Sequence, residues 1–499
     1  MKTRNLFLSL FAFAALCACN KEAQPENPIL GEDACITVSI VAPNDATKAP
    51  TTSFEDGDTE NAVHNALFVF YSEEGTYMYQ DTYSFTFNNG ISQTTPPNVE
   101  SISDVKIILQ GETVAPRQMV VILNYDNAIE NAVKNKNISA LNNVLTNNYI
   151  VSLGDPATDY YVMTNSTYMS DDKVVFAALI DEETHIYKTG DTPKEAVQVY
   201  VERVSAKVRS NTPGGTEKTL ALLNGSTLTY KPFITGYALT STAPSSYVIK
   251  QIDNYNWSNW LDAEWNDPNN KRSYWANSYT SGPYNKIAYE YIADTEPKYC
   301  HENTDQDDLT KLMIAVQIKG HTGDDNFQPI NIVRYGAGFY LTSELLTAIA
   351  TELNGFTWSS TTLAKTDQAF TVEQLQLVAD GGHLSKVALV DDITSVSDQT
   401  AVDAVLAKYE DLLSWVDGKA YFYSDIAHFG EDDGVNDKGI VRNHIYDINI
   451  TKIAGLGTPV IDPTLPIEPS IPDEIEYNLQ AQINILRWKV VRQNVSFGE

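Results

Sequence analysis

The chain has 499 residues, with 34 Lys+Arg against 65 Asp+Glu, a formal charge of −31, 43% hydrophobic residues and 20% charged ones. That apolar content excludes a disordered chain, and the acidic balance excludes a nucleic-acid binder, which needs clustered Lys and Arg to displace counterions from phosphates. At about 100–200 residues per domain the length predicts two or three domains, and 28 Tyr, 17 Phe and short β-branched runs broken by Asn, Asp, Ser, Thr and Gly predict that strands and turns dominate.

Lys2 and Arg4 precede an apolar run over residues 6–18, with Cys19, Asn20 and Lys21 directly after it. This is the layout of a secretory signal. As a helix the run would span about 20 Å, short of the ~30 Å hydrocarbon core, so a retained transmembrane anchor is not expected. The tetrad Leu16-Cys17-Ala18-Cys19 resembles a bacterial lipobox, in which the signal is cut before a cysteine that takes a diacylglycerol. Residues 1–18 are then the signal peptide, Cys19 carries the lipid, and everything after it is exported. The alternative is an ordinary cleavage site with an incidental cysteine. Cys17 leaves with the signal, so Cys35 and Cys300 are the one possible disulfide pair. A disulfide framework would need more cysteines, and stability is expected from packed sheets.

A polar tether over residues 19–28 leads to Ile36, Val38 and Ile40 alternating with Thr37 and Ser39, the period-2 pattern of a strand with one buried face. A polar loop follows from Pro43 through Lys48, Ala49 and Pro50 to Asp58, and such a stretch is open to proteases. Further strands are expected from residue 62, through Leu67-Phe68-Val69-Phe70-Tyr71, and over residues 119–123, 160–163, 174–179 and 197–208, with one helix over 138–145. The turn-forming cluster Ser210-Asn211-Thr212-Pro213-Gly214-Gly215 marks the best domain boundary. The organisation predicted is a lipidated propeptide with the first strand (19–48), an N-terminal β-sandwich (49–210) and a C-terminal β-sandwich (211–458). Three helices are expected in the second sandwich between residues 342 and 415. The last has Thr400 as its cap and Val402, Val405, Leu406, Tyr409 and Leu413 on one face.

Five prolines, at 459, 463, 466, 469 and 472, allow no helix or central strand, so residues 459–478 read as an extended spacer. Beyond it, Leu479, Ala481, Ile483 and Ile485 alternate with Gln480, Gln482 and Asn484, and Leu486, Trp488 and Val490 continue in the opposite phase, a slip that suggests a bulge. Residues 479–499 thus place a strong half-buried strand at the end of a solvated leash, and such a strand needs a sheet to join.

No catalytic, cofactor or metal site is expected. The seven histidines, at 64, 185, 301, 321, 383, 428 and 444, show no metal-ligand spacing. The acidic stretches over 304–308 and 431–437 do not fit a calcium loop and read as solvated. Ser424, Asp425 and His428 lie close in sequence, yet no GxSxG presents a nucleophile. Trp257, Trp260, Trp265, Tyr274 and Trp275 lie among Asn and Asp residues and could stack sugars, whereas their irregular spacing favours rings that fill a core.

Lys419-Ala420-Tyr421-Phe422-Tyr423, Gly439-Ile440-Val441-Arg442-Asn443-His444-Ile445-Tyr446, Gly455-Leu456-Gly457, the proline spacer and Leu486-Arg487-Trp488-Lys489-Val490 together resemble the Mfa-like branch of the fimbrillins, the subunits of type V pili. Residues 199–208, Val-Tyr-Val-Glu-Arg-Val-Ser-Ala-Lys-Val, resemble the segment that closes the family's N-terminal domain. With the lipobox and the Thr47-Lys48-Ala49 loop, the similarity runs along essentially the whole chain.

The resemblance implies a mainly β fold of two transthyretin-like sandwiches, the second with inserted helices, plus a C-terminal donor strand. It also implies a structural subunit rather than an enzyme, exported as a lipoprotein to the cell outer membrane and cut by a trypsin-like protease. Here the cut falls between Lys48 and Ala49, where the best-known members present Arg. The first strand, with Ile36, Val38 and Ile40, departs, and the groove accepts the terminal strand of another copy or a related pilin, with Leu479, Ala481, Ile483, Ile485, Trp488 and Val490 as donor residues. Partners are then other subunits, the outer-membrane lipid anchor before cleavage, and host or bacterial surface ligands, in an extracellular fimbrium that supports adhesion. The alternatives are a monomeric surface lipoprotein that binds glycans, and a tip or anchor subunit of such a pilus.

Overall fold

The computed structural model describes residues 34–43, 60, 62–84, 99–109, 114–151, 160–170, 173–252, 276–323, 326–428, 439–467 and 489–497. The fold is mainly β. In chain order β1 (Ala34–Pro43), β2 (Asn65–Tyr71), β3 (Tyr77–Ser84), β4 (Val99–Ile108), β5 (Gln118–Leu123), β6 (Met163–Asn165), β7 (Ile186–Lys188) and β8 (Val197–Arg203) join one sheet in the order β7-β1-β8-β6-β5-β2-β3, with β4 also paired to β1. The runs Ala66-Leu67-Phe68-Val69-Phe70-Tyr71 and Met119-Val120-Val121-Ile122-Leu123 are apolar at every position because both faces are covered. Ala66, Phe68, Phe70, Met119 and Val121 enter one core with Ile36 and Val38 of β1, so the sheet curls around it. Leu67, Val69, Tyr71, Val120 and Ile122 face a second core under α1 (Asn127–Val133) and α2 (Ile138–Leu141).

The sequence expectation placed one helix in this half, over 138–145. The helix there stops at Leu141, and α1 and α3 (Glu182–His185) are additional. Each of these two starts where an aspartate accepts from a backbone N–H three residues on, Asp126 from Ile129 at 2.8 Å and Asp181 from Thr184 at 2.8 Å.

Sheet membership changes at Val204, which is fully buried. β9 (Ser205–Ser210), which the sequence grouped with the N-terminal domain, pairs with strands of the second half. With β10 (Thr227–Thr240), β11 (Lys298–His301), β12 (Lys311–His321), β13 (Lys419–Asp425), β14 (His444–Ile453) and β15 (Lys489–Phe497), it builds two sheets, β11-β9-β14-β15 and β10-β12-β13. They close on a core that includes Val208, Leu312, Ile314, Val316, Ile318, Phe422, Tyr446 and Ile448. β10 bulges between Ile234 and Gly236, where a Cβ on Gly236 would meet the Asp294 backbone at 2.8 Å, so the tight passage needs glycine.

Between β12 and β13 the chain inserts a five-stranded sheet under α4 (Thr342–Glu352) and α5 (Gln399–Leu406). Leu345, Ile349, Leu353 and Val402 pack there on Val333, Trp358 and Leu412. The insertion contains two α-helices where three were expected. The cap of α5 is Asp398, whose side chain accepts from Ala401 N at 3.0 Å, where Thr400 was expected, and Leu413 belongs to a strand, Leu412–Trp415. Cys35 and Cys300 are both buried thiols, and no disulfide joins them. No helix among the described residues is long and apolar enough to cross a membrane.

Candidate functional site

The strand expected to depart, β1, has a neighbour along both edges. β4 runs antiparallel to it with Cys35 opposite Ile108 and Val38 opposite Val105. Along the other edge β7 is antiparallel over Ala34–Ile36 and β8 parallel over Val38–Val41. Ile36 and Val38 are 0% exposed in the core, and Ile40 sits opposite Val199 in the register. On the opposite face Cys35 Sγ lies 3.0 Å from Thr189 Oγ1, and Thr37 Oγ1 lies 2.8 Å from Tyr187 Oη. Burying Ile36 and Val38 is worth roughly 3–6 kcal/mol as an upper estimate. Removing β1 would also leave the facing backbone groups of β4, β7 and β8 without partners in an apolar slot, a state that only water or another strand can relieve. The geometry is that of a groove shaped for one extended strand.

The C-terminal strand has the opposite standing. β15 lies at the edge of its sheet, parallel to β14, with His444 opposite Lys489, Ile445 opposite Val490 and Ile453 opposite Phe497. Val490, expected in a donor strand, is thus placed in a strand on its own chain's second half. β15 is held by one ladder and β1 by two, so less backbone pairing has to be broken to release it.

The proline spacer is docked over its first part. Thr458–Pro459 pairs with β13, Val460 N donates to Lys419 O at 3.1 Å, Glu290 N to Pro463 O at 3.0 Å, and Ile467 N to Ile287 O at 2.8 Å. Val460 and Ile467 bury in a cluster with Ala238, Met313, Ala315 and Tyr421 on the outer face of β10-β12-β13. Sequence reading treated the whole of 459–478 as extended spacer; residues 459–467 follow a fixed path instead, because apolar residues between the prolines find a sheet face to cover.

Where β8 passes into β9, the two halves meet through buried charges that the sequence reading did not single out. Arg442 and Glu302 are both 0% exposed and paired through two bonds, Nε to Oε2 at 2.9 Å and Nη2 to Oε1 at 2.5 Å. The same guanidinium donates to Val248 O at 3.1 Å, Ser246 Oγ at 2.8 Å and Tyr247 O at 2.5 Å. Val248 and Ile249 belong to the core under α1, so a segment from beyond β10 returns to the first half and Arg442 ties it to the second. Beside it the Lys250–Glu202 pair, 2.8 Å, is equally buried. Arg203 reaches Asn443 Oδ1 at 3.3 Å and Glu60 O at 3.2 Å, and Lys207 reaches Glu60 Oε1 at 2.5 Å. Burial alone would raise the Glu302 carboxyl, but the Arg442 and Lys250 charges hold it below the usual range. Burial pushes neighbouring His301 down to about 4 and the Cys300 thiol up to about 12. The available signal was Glu202-Arg203 interrupting an apolar strand, since buried charges come paired.

The residues weighed for chemistry are occupied elsewhere. Ser424 Oγ donates to Asp425 O at 2.8 Å, Asp425 pairs with Lys311, and His428 Nδ1 lies 2.8 Å from Tyr446 Oη. In the 304–308 stretch Asp305 accepts from Tyr284 Oη at 2.5 Å and Asp308 pairs with Lys286 at 2.8 Å. Among the described residues no group of three His, Cys, Asp or Glu could hold a metal ion. Cys19, Lys48, Ala49, Leu479, Ala481, Ile483, Ile485, Trp488, the aromatic segment Trp257 to Trp275 and the 431–437 stretch lie outside the described residues.

Residues 414–494, which hold β13, β14 and the start of β15, match the family model "Major fimbrial subunit protein type IV, Fimbrillin, C-terminal". Among solved structures the chain is similar to a putative cell adhesion protein from Parabacteroides distasonis, at 14% identity over 89% of this chain and 93% of that one, TM-score 0.38. It is also similar to a putative cell adhesion protein from Bacteroides eggerthii, at 13% identity over 94% and 100%, TM-score 0.36. The tip fimbrial protein Mfa3 from Porphyromonas gingivalis with C-terminal truncation aligns at 14% identity over 61% and 83%, TM-score 0.25. No curated protein matches.

Proposed function

With its C-terminal region belonging to the fimbrillin family, this chain is, we propose, a structural subunit of a cell-surface fimbria that is exported as a lipoprotein on Cys19, cut after Lys48, and polymerised by strand exchange in support of adhesion. The observation that carries the reading is β1, buried and paired on both edges. Its removal creates a slot that only another extended strand fills well.

The donor sequence suits that slot. Leu479, Ala481, Ile483 and Ile485 repeat the phase of Ala34, Ile36, Val38 and Ile40, and Gln480, Gln482 and Asn484 fall at the phase of Cys35, Thr37 and Ser39. In this register Gln480 and Gln482 come to the places from which Cys35 and Thr37 now meet Thr189 and Tyr187. Burying some five large apolar donor side chains at ~1.5–3 kcal/mol each gives roughly 8–15 kcal/mol before ordering costs, enough for a durable joint. From Ile467, the last docked residue of the spacer, an extended chain at ~3.1 Å per residue reaches Leu479 across about 37 Å, a span long enough to enter a neighbouring subunit. No catalytic role is assigned to any residue.

The pairing of β15 with β14 inside one chain favours a second reading, a monomeric lipid-anchored surface protein whose terminus completes its own domain. Ile483→Asp separates the two. A charge cannot be buried unpaired in the groove, so the cut protein carrying it stays monomeric if 479–490 is the donor. Polymers as long as those of the unaltered protein would refute the donor assignment.

A further inference from the structure

The slot of β1 leads directly to the start of β14. β8 carries β1 on one edge and β6 on the other. Tyr200 O accepts from Ser166 N at 2.7 Å and Val204 N donates to Val162 O at 2.9 Å, so the even-numbered backbone groups face β6. The odd-numbered ones then face the edge of β1, because successive residues of a strand point their N–H and C=O groups to opposite edges. On that edge Arg203 N donates to Asn443 Oδ1 at 3.4 Å, and Ser205 O accepts from Asn443 N at 2.6 Å. The slot therefore ends at Asn443, one residue before β14 begins. β15 lies on the outer edge of β14, a sideways step of one strand spacing, about 4.8 Å. All these strands share one direction: β1 is parallel to β8, β14 to β9 and β15 to β14, and β9 follows β8 past the single residue Val204.

Two independent registers meet at this point. Val41 of β1 stands opposite Tyr200, so a strand continued for three more positions comes opposite Arg203. A donor with Leu479 in the place of Ala34 brings Lys489 to that height, by the alternation of its apolar residues. β15 starts at Lys489, whose partner His444 adjoins Asn443, the contact of Arg203. The phase of the donor sequence and the ladder of β15 thus place Lys489 at the same height. The phase slip after Ile485 falls just before it, where the strand has to step sideways, and a bulge bends a strand in this way.

We propose that the donor is bipartite. In the fibre, residues 479–488 of one copy fill the slot left by β1 in the next. Residues 489–497 of the same copy pair in parallel with β14 of that next subunit, in the place that β15 takes on its own chain. The inference rests on the strand-exchange reading above and adds the second half of the acceptor to the joint. Each subunit gives up its own β15 and receives another, so no β14 edge stays unpaired along the fibre. One donor then bridges both halves of its acceptor.

The test is crosslinking in mixed fibres. Asn449 and Asn494 are partners in the β14–β15 register, as are Lys452 and Ser496. Chains carrying Asn449→Cys and chains carrying Asn494→Cys are purified separately, mixed, cut with trypsin and treated with a short bis-maleimide. A second mixture uses Lys452→Cys and Ser496→Cys. Cys35 leaves with β1 and Cys300 is buried, so the introduced thiols are the ones that react. After denaturation each mixture yields covalent dimers and nothing longer, because every chain carries one introduced thiol, and the uncut mixtures yield none. Fibres of the chain with both Asn449→Cys and Asn494→Cys yield a covalent ladder. Polymers whose doubly substituted chains are crosslinked only within themselves, or whose mixtures give no dimers at either pair, overturn the bipartite donor and leave strand exchange standing. Cut chains that form no polymer overturn strand exchange and the bipartite donor with it.

Discussion

Replacing Arg442 with methionine tests whether the two halves are held as one unit. The substitution keeps an unbranched apolar stem but removes both bonds to Glu302 and the donors to Val248 O, Ser246 Oγ and Tyr247 O. Glu302 is then a fully buried carboxylate with Lys250 as the remaining nearby cation, and Lys250 is already committed to Glu202 at 2.8 Å. Breaking a buried pair in this way costs about 3–5 kcal/mol, most of it from the charge left behind. Urea unfolding of Arg442→Met, Glu302→Gln and the double variant measures it. The single variants lose about 3–5 kcal/mol each, and the double loses less than their sum because no buried charge remains unpaired. A single-variant loss under about 1 kcal/mol, or strictly additive losses, refutes the clamp.

Three further outcomes follow from burial. His301 titrates near 4 when folded and near its ordinary value of about 6.5 when unfolded, so between those values the unfolded chain binds more protons. Stability from this group is complete above pH ~6.5 and declines as pH falls toward 4, by roughly 3 kcal/mol in all. His301→Asn flattens the stability profile in that window, and an unchanged slope would count against the assignment. The thiols of Cys35 and Cys300, 0% and 2% exposed, do not react with Ellman's reagent in the native precursor. If β1 departs, the assembled fibre after denaturation yields the thiol of Cys300 without that of Cys35, and recovery of both shows that β1 stayed. Deleting residues 479–499 leaves a chain that folds, since β15 occupies an edge, but that cannot elongate. Long polymers from the truncated chain would remove the C-terminus from the mechanism.

How much was legible in sequence depended on whether a residue's partner was local. Period-2 alternation exposed β1 through Ile36 and Val38, whose partners are the two faces of one strand. The mainly β fold followed from the same signal repeated. The Ser210–Gly215 turn cluster suggested where the halves divide, but β9 changes sheet at Val204, where no Gly or Pro marks a turn, because its new partners β11 and β14 lie far along the chain. Arg442 was visible as part of a family-like block, while its role depends on Glu302 and on residues 246–248, more than a hundred positions away. The docked spacer was hidden for a similar reason: prolines exclude regular structure, yet nothing local tells that Val460 and Ile467 have a sheet face to cover. The helix caps Asp126, Asp181 and Asp398 are readable locally, but the helices that they start are short and barely display the apolar periodicity that marks a helix in sequence.

The most direct measurement is to treat the purified precursor with trypsin, sequence the new N-terminus and run the product on an SDS gel with and without heating. The account predicts an N-terminus at Ala49 and an SDS-resistant ladder of oligomers that forms after cleavage and not before it. A precursor that resists cutting at Lys48, or a product cut there that remains strictly monomeric, contradicts strand exchange and leaves the monomeric lipid-anchored protein in its place.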